Sequence, residues 1–308
     1  MLEAGLIVSR FLHYAVVLAL FGMALLPLYA YPKRAGLVPA RLFQWIVLGA
    51  AVASLLAAIL WLAFTTANMS GNPIGAVDWD ALAAVLRDTG FGHLWIVRLA
   101  LTIVIIGLGA AHLASKVSDR RDVVTPLLAG ALLASLAATG HTQHEEGLTR
   151  LVHEGADGAH LLAAGAWLGG LLGLSFILAL ASRGAGQPVE KVLLGFSGMG
   201  YVAVALLVAS GLINSWFLVG SFRALVATTY GQLLIVKLCL FAGMVALAAS
   251  NRFWLVPELI RESETGGPRA SLVRLRRNVL GEQSLGLIIV LVVSVLGTME
   301  PAATQMSP

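Results

Sequence analysis

Charge is scarce in this chain. Of its 308 residues only 12% are Asp, Glu, Lys or Arg, while 58% are hydrophobic and the mean hydropathy is +0.88. Soluble domains carry about 25% charged residues. A water-facing surface over most of the chain is therefore excluded, and the sequence reads as an integral membrane protein. Cysteine is nearly absent. Cys239 stands alone, so no internal disulfide and no Cys-x-x-Cys thiolate site can form, and a mid-helix cysteine is expected to be buried packing. No Gly-x-x-x-x-Gly-Lys loop is present, so nothing couples nucleotide hydrolysis to the membrane part. No nucleophile–base arrangement can be read, which argues against hydrolytic catalysis. The seven methionines form no Met-x-x-Met cluster.

Long apolar runs are abundant. A bilayer core of about 30 Å takes about 20 residues of helix, and runs of that kind fall at 5–30, 42–64, 93–114, 125–140, 156–181, 192–220, 230–255 and 280–299. The expected fold is an all-α bundle of about eight transmembrane helices in one membrane domain over residues 1–308. The first run has no basic residue before its core and is followed by Lys33 and Arg34, so it reads as a span with its N-terminus outside. Connections after the odd-numbered runs carry fourteen Lys and Arg, from Lys33 to Arg277, against three (Arg87, Arg150 and Arg223) on the other side. This positive-inside bias places both termini in the periplasm. It also explains a pI near 9.5 without nucleic acid, since the basic flanks face anionic lipid.

Two connections are long. The outer one holds Trp79, Leu82, Val85 and Leu86 at helical spacing and is expected to form an amphipathic interfacial helix. The inner one, RESETGGPRASLVRLRRN, reads as a topology anchor, and an Arg252–Glu282 ion pair is expected to close the cytoplasmic end. Gly165, Gly169 and Gly173 recur every fourth residue, a spacing that lets a second helix approach closely.

Four of the seven histidines lie within twenty residues: His141, His144, His153 and His160. Asp157 and His160 are three apart and share a helix face. Imidazole with carboxylate at such spacing suits copper, zinc, iron or nickel. Glu145, Glu146 and Glu154 add negative charge to the same outer loop, which would draw in cations. The alternative is a solvated polar loop with incidental histidines. His13 lies about 12 Å inside the first run, counting 1.5 Å per residue, and an ionisable group at that depth asks for a partner. It is a third candidate beside His141 and His160, against a structural histidine bonded to a carbonyl. His112 lies at the inner end, away from the others. Arg98 and Lys237 sit within spans with the option of snorkelling outward or pairing with Asp157, and Asn214 lies within another span.

The stretches RFLHYAVVLALFG (10–22), GFGHLWIVRLAL (90–101), GHT (140–142) and DGAHLLAAGAWLGGLLGL (157–174) carry a resemblance. So do SGLINSW (210–216), YGQLLIVKLCL (230–240), NRFWLVPEL (251–259), LRRNVLGEQSLGL (275–287) and LGTMEP (296–301). Together they resemble the copper resistance D family of bacterial inner-membrane proteins, most strongly over 140–301. The resemblance implies eight spans, copper movement across the inner membrane, and a small periplasmic copper-binding partner, expected here as a separate protein. It points first to His141 and His160 as metal ligands and then to His13, with His144, His153 and Asp157 completing the expected set. On this reading copper enters from the periplasmic side and passes inward. Two alternatives stand beside it: a membrane b-type haem or copper redox protein ligated by a pair such as His13 and His160, and a scaffold that docks a copper chaperone without transport.

Overall fold

A computed structural model describes residues 2–30, 40–71, 78–114, 122–139, 147–182, 189–265 and 270–305. Among the described residues all regular structure is helical. The order is α1 (Leu2–Tyr29), α2 (Ala40–Ser70), α3 (Trp79–Asp88), α4 (Gly90–Ala114) and α5 (Val124–Ala134), which tightens into a 3₁₀ turn at Ser135–Thr139. Then come α6 (Gly147–Ala181), α7 (Val189–Val219), α8 (Phe222–Ala227) and α9 (Thr229–Ser250). A π turn at Asn251–Leu255 joins α9 to α10 (Val256–Thr265), and α11 (Ala270–Leu296) and α12 (Ala302–Gln305) finish the chain. Seven segments are long and apolar enough to cross a bilayer, with Thr229–Thr265 counted as one. The eighth, Val124–Thr139, is shorter: its α and 3₁₀ rises together span about 26 Å.

The helices form two lobes. In the first, α1 packs on α2 and α5, and α4 packs on α2 and α5; its core holds Leu20, Trp61, Trp95, Leu132 and Leu133. In the second, α6 packs on α7 and α11, and α9 on α11, around Leu171, Leu174, Val192 and Leu275. The lobes meet where α1 lies against α6. There the glycine spacing does what was expected of it. A Cβ on Gly22 would stand 2.1 Å from the Gly165 carbonyl oxygen, and one on Gly169 would stand 2.3 Å from the Leu18 carbonyl. Backbone meets backbone, which in lipid supplies dispersion contacts that apolar tails cannot better. Helix α3 forms with Asp78 capping it (Ala81 N–H to Asp78 Oδ1, 2.9 Å), and Val85 is turned inward while Trp79 is exposed, as an amphipathic helix requires.

Four expectations are corrected. First, α6 starts at Gly147, nine residues ahead of the expected 156, so His153 lies on the helix and not in the loop. Second, the cytoplasmic connection is mostly helix: α9 continues through the π turn into α10, and α11 starts at Ala270. Third, Glu282 does not close on Arg252. It accepts from Asn251 Nδ2 at 2.6 Å and from the Trp167 side chain, while Asn278 donates to Asn251 Oδ1 at 3.0 Å. The π turn places Asn251 there, and a neutral amide compensates the carboxylate where a guanidinium was expected. Fourth, Cys239 is exposed on the outer face of α9, towards lipid, and is not buried.

Candidate functional site

The expected site residues divide between two places. His141 and His144 lie outside the described residues. His153, Asp157 and His160 all lie on α6 and turn one face to α7, where they form a three-rung ladder. The His153 ring stacks on Phe217 (centroids 4.6 Å, interplanar 12°). Asp157 Oδ1 accepts from Asn214 Nδ2 at 3.2 Å. His160 Nδ1 meets Ser210 Oγ at 2.9 Å. Because the helices are antiparallel, 153, 157 and 160 descending α6 meet 217, 214 and 210 on α7, about one helical turn per rung.

The lowest rung favours one tautomer. Ser210 Oγ donates its own proton to the Leu206 carbonyl one turn back on α7. It can then accept from His160 Nδ1, beside the Leu207 carbonyl, and in that tautomer the lone pair is on Nε2. A histidine whose second nitrogen is held this way has the usual arrangement of a metal ligand. Gly211 keeps the ring edge open: a Cβ there would stand 3.6 Å from His160 Cε1. Above it, Asp157 is within electrostatic reach of Lys237 on α9, of Arg10 on α1 and of His153. Lys237 also faces His160. Of the partners considered for Asp157, Lys237 is the one the fold supplies.

Arg98 does not snorkel. It is fully buried, donating from Nε to Ser135 Oγ (3.0 Å) and from Nη2 to the Ser135 carbonyl (2.6 Å) and Thr139 Oγ1 (3.1 Å). The 3₁₀ turn frees that carbonyl, so Arg98 pins the outer end of the shortest span.

His13 sits in the first lobe, also fully buried, with its ring 5.5 Å from Trp61 and 5.9 Å from Trp95. Its neighbours are those rings, Ser54 and the Arg98 guanidinium. His160 has Ser210, Gly211 and Lys237 instead. The two histidines pack against different helices, His13 against α2 and α4 and His160 against α7. Among the described residues no three His, Cys, Asp or Glu side chains gather closely enough to hold a metal ion. A complete ligand set thus needs more than the α6 ladder. His112 lies apart, 3.5 Å from Asp122 at the cytoplasmic end. Sequence reasoning missed Ser210, and it noted Asn214 only as a polar residue within a span. The signal was their spacing of four within SGLINSW, matched by three between Asp157 and His160.

The family described as copper resistance protein D-like, N-terminal domain, matches residues 1–151, and the family described as copper resistance protein D matches residues 190–296. The chain is 32% identical to copper resistance protein D of Pseudomonas syringae pv. tomato, over 96% of both chains. It is 30% identical to inner membrane protein YebZ of Escherichia coli (strain K12), over 98% of this chain and all of that one. It is 28% identical to copper transport protein CutJ of Bacillus subtilis (strain 168), over its whole length and 54% of that protein. No solved structure matches.

Proposed function

Since the chain belongs to the copper resistance D family, we propose that it takes copper at the periplasmic end of the α6–α7 ladder and passes it inward. As a copper-handling, multi-pass protein of the inner membrane it meets the ion as its substrate. One observation supports the site: Ser210 meets His160 at Nδ1, and with the proton there Nε2 is the nitrogen that binds. Asp157, one turn further out, supplies the negative charge, and His153 the next donor along the same face. His141 and His144, just ahead of α6 in sequence, complete the set. Glu145, Glu146 and Glu154 concentrate the cation at the entrance.

Lys237 gives the site an empty state. With no copper present, its ammonium faces Asp157. A copper ion arriving at Asp157 and His160 replaces that charge, so binding releases Lys237 from Asp157. His13 is the weaker ligand candidate, because the Arg98 guanidinium beside it opposes a cation. The donor on the periplasmic side is a separate small copper-binding protein.

The test is the metal content and visible spectrum of purified protein, wild type beside His141→Ala/His160→Ala. The expected result is copper near one per chain, lost in the double variant, with no Soret band in either. Copper retained by the variant would place the site elsewhere, and a Soret band would restore the haem reading. Copper-loaded vesicles then separate transport from docking: a scaffold binds copper and moves none.

A further inference from the structure

In the outer half of the first lobe, the Arg98 guanidinium has no acid among its hydrogen-bond partners. Arg98 is 0% exposed, and its three hydrogen-bond acceptors are a serine hydroxyl, a threonine hydroxyl and a carbonyl, all neutral. Its Nη1 is buried without any partner. Arg10, near enough to repel it, donates Nη1 to the Gly297 carbonyl and leaves Nε buried and unpartnered. The acid within reach of Arg10 is Asp157, which already faces Lys237. Three cations (Arg10, Arg98, Lys237) thus stand near one carboxylate, the half-buried Asp157. A buried guanidinium without a counter-charge costs several kcal/mol, and such groups in membrane spans are normally paired.

The unpaired donors gather around one aromatic box. Arg98 Cζ lies 4.7 Å over the Trp95 ring and Arg10 Cζ 5.5 Å over Trp61, and these two indoles meet edge-on at 4.9 Å. The Trp95 Nε1 donor and Ser54 Oγ in the same box also lack hydrogen-bond partners, and the His13 ring has only the Ser54 backbone within reach. Three unpartnered N–H donors, two of them on cations and one on an indole, describe an anion site.

We infer that this box, between α1, α2 and α4, binds a small monovalent anion of the halide class, held by Arg98 Nη1, Arg10 Nε and Trp95 Nε1 with His13 at its edge. The aromatic walls select the class. They offer no solvation to a multiply charged oxyanion, whereas a weakly hydrated halide loses least on entering. The anion neutralises Arg98 and ties α1 to α4 and, through Arg98, to the end of α5. This inference is independent of the copper reading, and its test involves no metal.

The experiment is thermal unfolding of the metal-free purified protein in rising sodium chloride, with sodium gluconate holding ionic strength constant. Wild type is expected to show a saturable rise of about 2–4 °C, the shift that about 1 kcal/mol of ligand stabilisation gives a chain of this order of size. Trp95→Phe keeps the stacking on Phe91 (4.9 Å) and removes the indole N–H, so it should shift the chloride midpoint upward by about tenfold or more. Equal melting of the wild type in chloride and gluconate would overturn the inference and leave the box to water. An unchanged chloride midpoint in a folded Trp95→Phe protein would overturn the placement.

Discussion

Replacing Ser210 by alanine isolates the orientation of His160 from its identity. Ser210 is buried; its Oγ meets the Leu206 carbonyl, lies 3.5 Å from the Leu207 carbonyl, and meets His160 Nδ1 at 2.9 Å. The substitution therefore removes one hydrogen bond to the ring, about 1 kcal/mol, and also frees the proton to move to Nε2, the nitrogen that should bind. Loss of such an outer partner typically weakens metal affinity about 10–100-fold. We expect Ser210→Ala to bind copper about tenfold more weakly in competition with a chromophoric chelator, equivalent to about 1.4 kcal/mol, with melting lowered by no more than about 2–4 °C. Ser210→Thr, which keeps the hydroxyl, should restore most of the affinity. Ser197→Ala is the control, since Ser197 makes the same backward bond to Leu193 on the same helix and touches no rung of the ladder. Wild-type affinity in a folded Ser210→Ala protein would refute the reasoning. If His160→Ala also bound normally, the ladder itself would be out of the site.

Other outcomes follow from single contacts. Asp157→Asn should weaken copper binding strongly, and Lys237→Met should strengthen it by removing the competing ammonium; measured as a stability cycle, the pair should couple by about 1–3 kcal/mol, and additive effects would separate them. Gly22→Val and Gly169→Val should prevent stable accumulation in the membrane, since their first added carbon meets backbone that cannot yield, a cost beyond the usual 1–3 kcal/mol of overpacking. Gly107→Val, where a Cβ meets nothing within 4 Å, should be tolerated, and similar loss in all three would show that the seam is not special. Cys239 should react in membranes with an apolar maleimide and resist a charged, membrane-impermeant one; protection from both reagents would contradict its lipid-facing position.

The number of spans was legible because a bilayer imposes one length on every crossing, and because α6 is apolar throughout its inner two-thirds. Its outer third was not: GLTRLVHEG (147–155) is polar enough to read as loop, yet it is helix because His153 and Ala156 are buried against neighbours. Hydropathy reports the medium around a helix, and here a helix end is held by protein. The same confusion of media misplaced Cys239. A mid-span position says only that a side chain is out of water, and the choice between lipid and protein depends on which way the helix is turned. The π turn at Asn251–Leu255 was illegible for another reason. Pro257, two residues beyond it, cannot donate back to the Phe253 carbonyl, but that the helix continues through the break depends on packing across to α11, where Glu282 holds the Asn251 side chain.

For the site, one-dimensional spacing recovered what a single helix determines and nothing that needs two. Asp157 and His160 sharing a face follows from 3.6 residues per turn. That this face meets Ser210 and Asn214 requires the antiparallel register of α6 on α7. That it turns away from His13 requires the glycine seam to fix how α6 rolls against α1. With Gly22, Gly165 and Gly169 locked backbone to backbone, the polar face carrying residues 153, 157 and 160 must lie elsewhere on α6, and α7 is the helix it finds. The seam is thus the reason that the two histidines serve different neighbourhoods: one beside a carboxylate, the other in an aromatic box beside two guanidiniums. The first has the charge to draw a cation, and the second has the charge to repel one.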